Sequence, residues 1–130
     1  MIAPTGIDHA CLVVRSLTKS RTFYGQLFDF SFSPRDGDPD TLAVESPHVH
    51  FFLTQAPNAP AAFLQMQHLS FRVDEIEPVM ARLQAAGHEF TVGEVSFFRH
   101  NNYRWCEWRD PDGIRLECVS PLPGSSPGPA

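Results

Sequence analysis

The fold is decided by two short stretches of sequence, residues 8–14 (DHACLVV) and residues 67–73 (QHLSFRV). With His9 laid on His68, both stretches have a histidine in second place and apolar side chains at every second position after it. Such alternation is typical of a strand that is buried on one face. Because the pattern returns after 59 residues, we predict that the chain contains two copies of one structural module.

A segment with helical periodicity follows each of these strands. Apolar side chains recur three or four positions apart over residues 17–28 and again over residues 75–86. Asp74 and Glu77 predict a capping box at the start of the second helix, and Gly87 suits its left-handed end. Strands are predicted at residues 7–14, 30–33, 41–45, 48–54, 67–73, 89–95, 103–109 and 114–120. The order is β-α-β-β-β twice, which predicts an α+β fold of two βαβββ modules.

The length allows one compact domain. The chain has 130 residues, and domains typically have roughly 100 to 200. A hydrophobic content of 42% with 19% charged residues suits a packed core. We predict a single domain over residues 1–120, with modules at about 5–60 and 65–120. Residues 121–130 are rich in Pro, Gly and Ser, and we predict a flexible tail there.

Composition excludes several classes of partner. Fifteen acidic and ten basic side chains give a net charge of -5, and the basic residues form no cluster suited to nucleic acid. The sequence has no apolar stretch of the roughly 18 residues that span a membrane and no signal-peptide pattern. We therefore expect a cytoplasmic protein. Cys11, Cys106 and Cys118 are odd in number and lack C-x-x-C spacing, which indicates buried thiols and neither a disulfide framework nor a zinc site.

Side chains alternate along a strand, so each predicted strand has two faces of different polarity. In the strand at 67–73, His68, Ser70 and Arg72 share the polar face. One face of each of four other predicted strands is expected to line a polar pocket beside it. These faces are His9, Cys11 and Val13 in the strand at 7–14; His48, His50, Phe52 and Thr54 in the strand at 48–54; Tyr103, Trp105, Glu107 and Arg109 in the strand at 103–109; and Arg115, Glu117 and Val119 in the strand at 114–120. The DPDG turn at 110–113 sets the register of Glu107 and Glu117.

Two imidazoles and one carboxylate on these faces are candidates to converge, namely His9, His68 and Glu117. This is the ligand set of a three-ligand metal site whose open positions take water or a bidentate substrate. The alternative is structural. Each histidine would then be a hydrogen-bonded core or surface residue, and Glu117 would pair with Arg72 or Arg115.

Four motifs, in this order and spacing, resemble the vicinal oxygen chelate superfamily of glyoxalases, fosfomycin and bleomycin resistance proteins and extradiol dioxygenases. They are residues 7–14 (IDHACLVV), Ser20-x-x-Phe23-Tyr24, His68-x-x-Phe71-x-Val73 and residues 110–117 (DPDGIRLE). The resemblance covers residues 5 to about 120. It implies a curved mixed sheet around a metal and, as in family members with two modules, a homodimer with sites at the interface. The ligand set accepts the divalent metals Fe, Mn, Ni and Zn. By position, the resemblance assigns the metal ligands to His9, His68 and Glu117.

The resemblance to glyoxalase I is incomplete. Its fourth ligand, a glutamate, would fall on Phe52, which cannot bind a metal. His50, two residues earlier on the same face, is then either a fourth ligand or a polar group of the substrate pocket. The arginine that would hold glutathione is replaced by Val13. Lactoylglutathione lyase activity is therefore disfavoured.

Other members of the superfamily also fit in part. Residues 99–102 resemble the segment of extradiol dioxygenases that carries an acid/base histidine, here His100, although the segment lies about two residues closer to the final carboxylate. Tyr103 lies on the same face of its predicted strand as Glu107. The tyrosine of those enzymes, and of fosfomycin thiol transferases, is replaced by Glu107. A carboxylate there is placed to remove a proton next to a chelated carbonyl. The alternative is a structural pair of Glu107 with Arg109, Arg104 or Arg72.

We therefore predict a homodimeric, metal-dependent lyase, isomerase or transferase that binds a small substrate through two vicinal oxygens. Besides the three ligands, the predicted catalytic residues are Glu107, His100 and Tyr103, and the predicted pocket residues are His50, Phe52, Cys11, Arg72 and Trp105. One alternative is an Fe(II) extradiol-type ring-cleavage dioxygenase, an oxidoreductase. Another is a metal-free, bleomycin-resistance-like binding protein with Trp105 and Trp108 lining its groove.

Overall fold

The computed structural model describes residues 1–96 and 102–122. The chain divides into two compact units, Met1–Leu64 and Gln65–Ala130. The elements of the first unit are β1 (Ala10–Val14), α1 (Leu17–Leu27), β2 (Ser31–Arg35), β3 (Asp38–Glu45) and β4 (His50–Gln55). A short helix, α2 (Ala61–Met66), then crosses the boundary in sequence between the units. The elements of the second unit are β5 (His68–Arg72), α3 (Glu77–Ala85), β6 (Thr91–Val95), β7 (Tyr103–Arg109) and β8 (Arg115–Pro121).

The first unit contains one four-stranded mixed sheet in the order β1-β4-β3-β2. β1 runs parallel to β4, and the other neighbours are antiparallel. The Ser16 side chain caps α1 by accepting from the Lys19 N–H, which satisfies one of the free donors of the first turn. α1 buries Tyr24, whose ring meets Phe51 of β4 edge to face at 6.0 Å. The alternate positions of the strands therefore form an apolar core with one helix.

The second unit repeats this arrangement in the order β5-β8-β7-β6, again with a parallel pair formed by its first and last strands. Its fully buried side chains include Ile76 and Leu83 from the helical segment and Cys106, Leu116 and Cys118 from the strands. The predicted fold class, two βαβββ modules with mixed sheets, is confirmed. The pairing of both modules in one domain stays a prediction, and tail residues 123–130 lie outside the described residues.

Three local predictions are wrong or incomplete. The capping box of Asp74 does not form, because α3 begins later, with Ile76 at its N-cap and no side-chain cap hydrogen bond. Residues 7–9 lie outside β1, since the pairing of β1 with β4 begins at Ala10. Residues 48 and 49 likewise lie outside β4, which begins at His50, so His48 is not on the face of that strand. Helix α2 was not expected, because six residues are too few to show a helical period. It forms after Pro60, whose carbonyl accepts from the N–H groups of Phe63 and Leu64.

The predicted turn between the last two strands is confirmed. Gly113 has a φ of 80°, which favours glycine. Asp110 Oδ1 accepts from the N–H groups of Asp112 and Ile114, so the side chain closes the turn. This geometry places Glu107 directly opposite Glu117.

The cysteines are only partly buried as predicted. Cys106 and Cys118 are buried, but Cys11 is exposed, so the prediction of a third buried thiol is wrong. Cys11 lies on the outward position of β1, whose inward positions Leu12 and Val14 fill the core.

Among residues 1–96 and 102–122, no helix is long and apolar enough to cross a membrane.

Candidate functional site

The more exposed face of the second sheet carries its side chains in three rows that cross the strands. We name them the histidine row (His68, Arg115, Arg109), the carboxylate row (Ser70, Glu117, Glu107, Thr91) and the tryptophan row (Arg72, Val119, Trp105, Gly93). These rows follow from the register, since each residue lies directly opposite the next across neighbouring strands. The predicted division of β5, β7 and β8 into two faces is therefore confirmed.

The predicted ligands His68 and Glu117 lie side by side on this face. His68 Nε2 is 3.7 Å from Glu117 Oε1, and their side chains are 32% and 14% exposed. Ser70 Oγ donates a hydrogen bond of 2.8 Å to the same Oε1 and so orients the carboxylate. The parallel pairing of β5 with β8 brings these groups together, because Ser70 lies opposite Glu117. The result is a nitrogen donor and an oxygen donor that are both accessible.

Arg115 binds the other side of the His68 imidazole. Its Nε donates to His68 Nδ1 at 2.6 Å. A guanidinium only donates, so Nδ1 accepts and the proton of neutral His68 lies on Nε2. An ion at Nε2 requires that proton on Nδ1 instead. Arg115 must therefore leave His68 when the imidazole binds a metal, and Glu107 Oε2, 3.4 Å from Arg115 Nε, offers it another partner.

Glu107 lies opposite Glu117 in the carboxylate row, with 24% of its side chain exposed. The three arginines expected as its structural partner do not pair with it in the described residues. Arg104 binds Glu77, which lowers the pKa of that carboxyl, and Arg109 donates to the Gly113 carbonyl. The ion pair of Glu107 is with Arg115. Glu107 also borders an open cavity of about 870 Å³ whose lining includes His88, Glu89 and Arg109.

The two tryptophans of β7 have different roles. Trp108 is 3% exposed and belongs to the core, so the expectation that it lines a groove is wrong. The residue alternation of β7 places Trp105 on the exposed face, where it is half-buried, and places Tyr103 on that face as well. Arg72 is exposed at the other end of the tryptophan row. The predicted pocket residues of the second unit therefore share one face with two of the predicted ligands, His68 and Glu117.

The remaining predicted residues of the first unit lie on the exposed face of its sheet or, in the case of His9, directly before β1. His9 Nδ1 is 2.7 Å from Asp8 Oδ2, and this hydrogen bond lowers the pKa of Asp8. The His9 ring lies 5.7 Å from the ring of His50 and 5.1 Å from that of Phe52, between centroids. Cys11 Sγ lies 3.2 Å from Thr54 Oγ1. The pairing with Asp8 leaves His9 Nε2 available as a ligand.

Register makes Phe52 the counterpart of Glu117. Cys11 lies opposite Phe52 in the first sheet, as Ser70 lies opposite Glu117 in the second. By the same register, His50 is the counterpart of Arg115. The first unit therefore has an aromatic ring where the second has its carboxylate.

The described residues contain no group of three or more His, Cys, Asp or Glu side chains arranged to hold a metal ion. His9 belongs to the first unit, and His68 and Glu117 belong to the second. Ligation by the three residues, and the roles of Glu107 and Tyr103, stay predictions. His100 lies outside the described residues. Sequence reasoning did not identify Ser70 as the partner of Glu117, although its place on the polar face of β5 was a usable signal.

Comparisons with known proteins agree with this fold. The sequence model of the Glyoxalase/Bleomycin resistance protein/Dioxygenase superfamily matches residues 6–118. The uncharacterized protein YaeR of Escherichia coli (strain K12) is 24% identical over 128 residues, which cover 90% of this chain and 97% of that protein. Virulence protein STM3117 from Salmonella typhimurium superposes with a TM-score of 0.76 at 22% identity, over 94% of this chain and 100% of that one. The genomically encoded fosfomycin resistance protein FosX from Listeria monocytogenes superposes with a TM-score of 0.71 at 17% identity, over 92% and 94%.

Proposed function

The chain belongs to the glyoxalase/bleomycin resistance protein/dioxygenase superfamily, and from this premise we propose that it is a metal-dependent enzyme acting on a small substrate with two vicinal oxygens. The metal ligands would be His9, His68 and Glu117. The observation that carries the proposal is the accessible donor pair of the second sheet, in which His68 Nε2 is 3.7 Å from Glu117 Oε1. The reaction class we favour is that of a lyase, isomerase or transferase.

The donor pair fits a divalent ion. With metal–ligand distances of about 2.1 Å, two ligands of one ion lie roughly 3.0 to 3.4 Å apart in octahedral or tetrahedral geometry. The pair needs to close by only a few tenths of an ångström. Imidazole and carboxylate together suit Fe, Mn, Ni and Zn. The bonds from Ser70 to Glu117 and between Asp8 and His9 would hold two of the three ligands in orientation.

A homodimer would complete the site. Since the ligands are divided between the two units, we propose that His9 of one copy joins His68 and Glu117 of another. The first strands β1 and β5 each lie at an edge of their sheet. Two exposed apolar side chains, Ile7 and Met66, occupy equivalent places two residues before His9 and His68, and they are 91% and 84% exposed. A second copy is the partner we propose to cover them.

Three further side chains of the second sheet, Glu117, Glu107 and Arg115, have proposed roles in binding and proton transfer. When bound, the divalent ion acts as a Lewis acid on the two vicinal oxygens of the substrate. Glu117 is held for ligation by Ser70. Glu107, in the same row, would accept the proton of the C–H or O–H next to a chelated oxygen. Arg115 would move from His68 to Glu107 on loading, which requires little displacement because it already lies near both.

Metal content tests the ligand set directly. Purified wild-type chain is incubated with Fe(II), Mn²⁺, Ni²⁺ or Zn²⁺, freed of loose metal and measured by elemental analysis. The expected result is about one ion per chain, lost in His9→Ala, His68→Ala and Glu117→Ala. His48→Ala, an exposed histidine outside the strands, is the matched control and should keep its metal. Wild type that takes up none of the four metals would overturn the proposal.

Mixing two inactive variants tests the shared site. His9→Ala and Glu117→Ala are combined in equal amounts, unfolded and refolded together. If each site draws on two copies, a mixed dimer regains one intact site, and about a quarter of the wild-type metal content returns. If each chain builds its own site, no metal returns. That second result would refute the interface while leaving the ligand set in place.

A metal-free binding protein is the second candidate, and one contact favours it. Arg115 Nε fixes His68 in the tautomer that cannot bind an ion through Nε2. The Arg115→Gln variant separates the two functions. It should bind metal several-fold more tightly if the site is a metal centre, because the competing hydrogen bond is removed. In a binding protein, ligand affinity would instead survive both chelation and His68→Ala.

A further inference from the structure

The two sheets differ at the end where β3 and its counterpart β7 finish. In the first unit β3 ends at Glu45, which pairs with Ser31, the first residue of β2. In the second unit β7 ends at Arg109, which lies opposite Arg115. His50, the counterpart of Arg115, lies opposite Glu45 in the same way. Arg109 is therefore the counterpart of Glu45.

The pairing of β6 with β7 ends before it reaches Arg109. It begins with Thr91 opposite Glu107, two residues short of the end of β7. A ladder longer by two residues would place Glu89 opposite Arg109, as Ser31 lies opposite Glu45 in the first unit. The chain instead reaches β6 from α3 through Gly87, whose φ of 79° favours glycine. The space between residues 87–91 and the end of β7 is the open cavity of about 870 Å³.

Two opposite charges line this cavity without pairing with each other. Glu89 belongs to the segment before β6, and Arg109 belongs to β7. Within residues 1–96 and 102–122, neither side chain has an ion pair, and the Arg109 guanidinium donates to the Gly113 carbonyl. The half-buried Phe90 adds an apolar wall to the same cavity. A ligand that carries a negative and a positive group close together would satisfy both side chains at once.

We propose that this cavity binds an α-amino acid with an apolar side chain. Arg109 would bind the carboxylate, Glu89 would accept from the ammonium group, and the ligand side chain would pack on Phe90. A cavity of about 870 Å³ is of the size that small-molecule sites have. The inference goes beyond the proposed function, because it needs no metal ion and uses none of the three proposed metal ligands.

Two charges that are merely solvated make a different prediction. Glu89 and Arg109 are exposed, and exposed charges interact only weakly with single ions in water. A ligand with one charge would then bind as poorly as a ligand with two. The proposed site requires instead that affinity depends on the presence of both charges in one molecule.

L-leucine and two analogues that each lack one charge are the probes. Isocaproate lacks the ammonium group, and isopentylamine lacks the carboxylate. Each is titrated into the isotope-labelled, full-length chain and followed by two-dimensional NMR, with EDTA present so that no probe binds through a metal ion. L-leucine should shift the amide signals of residues 87–91 and 107–109, but not those of residues 29–33, the corresponding segment of the first unit. Its Kd should be at least about tenfold lower than that of either analogue.

Two variants assign each charge to its side chain. Glu89→Gln should weaken L-leucine binding about tenfold and leave the Kd for isocaproate unchanged, since isocaproate has no ammonium group. Arg109→Gln should weaken L-leucine binding about tenfold and leave the Kd for isopentylamine unchanged. Glu94→Gln, an exposed carboxylate of β6 outside the cavity, is the control.

The wild-type titrations can overturn the proposal without any variant. Amide signals of residues 87–91 and 107–109 that do not move with L-leucine would refute the site. Binding of either analogue as tightly as L-leucine would refute recognition of both charges. Neither result bears on the metal ligands, and a chain that binds no metal would leave the amino-acid site in place.

Discussion

The two units share an element order and a strand order, yet their exposed faces differ in chemistry. The first unit clusters two imidazoles with a phenyl ring, at His9, His50 and Phe52. The second holds a hydrogen-bonded network of His68, Ser70 and Glu117 with Arg115 and Glu107. In a strand, inward positions build the core and outward positions are independent of it. A repeated frame therefore leaves each copy free to carry its own functional groups.

The difference is sharpest at equivalent positions. Phe52 stands where the second unit has Glu117, and His50 stands where it has Arg115. The first unit consequently offers imidazole nitrogens and an aromatic surface, and the second offers oxygen donors and a cation. A site that uses both kinds of group needs a contribution from each unit, which is the basis of the proposed shared centre.

Equivalent core residues should give the largest effects. Phe51 and Leu116 are counterparts, each fully buried in its sheet. Phe51→Ala and Leu116→Ala should each lower the free energy of unfolding by about 2 to 5 kcal/mol, through lost burial and the cavity left behind. Urea denaturation followed by circular dichroism measures this. Val92→Ala, at a half-exposed site, is the control, with an expected change under about 0.5 kcal/mol.

The same urea denaturation curves test whether the two modules unfold together as one domain. A single transition, lowered by either core variant, would support one cooperative domain of two modules. Two separate transitions, each moved by only one of the variants, would contradict it.

Loss of the proposed ligand Glu117 should weaken metal affinity more than loss of Ser70, which orients it. Glu117→Gln removes the only proposed carboxylate ligand and should weaken metal affinity at least about 100-fold, whereas Ser70→Ala removes one hydrogen bond to it and should cost about tenfold. Competition against a fluorescent chelator measures both constants. Thr18→Ala, an exposed helical site, is the control. Equal affinities in wild type and Glu117→Gln would refute ligation by this carboxylate.

Restoring a carboxylate in the first unit would make the two faces more alike. Phe52→Glu places an oxygen donor at the counterpart of Glu117, beside His9 and His50. If His9 is a ligand, we expect metal affinity to rise by about tenfold, since a further anionic donor joins the same ion. Phe52→Gln is the control for shape. A gain in Phe52→Glu that persists after His9→Ala would show that the new donor acts elsewhere.

The thiols distinguish the units in a smaller and simpler way. Burial raises the pKa of Cys106 to about 11 and that of Cys118 to about 12, whereas Cys11 is exposed. Ellman's reagent at pH 8 should therefore label Cys11 alone in the folded chain, and all three cysteines after unfolding. Labelling of Cys118 as fast as Cys11 would contradict its burial.

The raised thiol pKa values also predict a stability change with pH. The ordinary pKa of a cysteine thiol is 9.0, so these thiols lose their protons in the unfolded chain as the pH rises above 9. In the folded chain the same thiols stay protonated to a higher pH. The contribution of the two buried thiols to the free energy of unfolding is thus complete below pH 9 and is lost as the pH rises towards about 11 to 12. The free energy of unfolding should fall by about 1 kcal/mol per pH unit for each thiol. Cys118→Val should reduce this slope.

Much of the fold was predictable from local pattern. The 59-residue repeat and the alternation in β5, β7 and β8 predicted the two modules and the outward positions of His68, Glu107 and Glu117. Helix α2 was missed because six residues carry too little periodicity, and the capping box failed because the actual start of α3 shifted the cap to Ile76. Cys11 lies on the face of β1 that the alternation predicted, but its expected burial was wrong, because the odd number of cysteines says nothing about whether that face is covered.

The sequence by itself determined which face of its strand each side chain occupies, because that depends only on a period of two along the chain. The tertiary structure decided which side chains meet across strands: Ser70 with Glu117, Arg115 with His68, and Trp105 with Gly93. These contacts join strands distant in sequence, and a shift of one residue in register would replace every partner. Register is fixed by the closing turn and by the packing of the whole sheet. The turn at 110–113 is written in a local pattern, but the packing that sets the other registers is not.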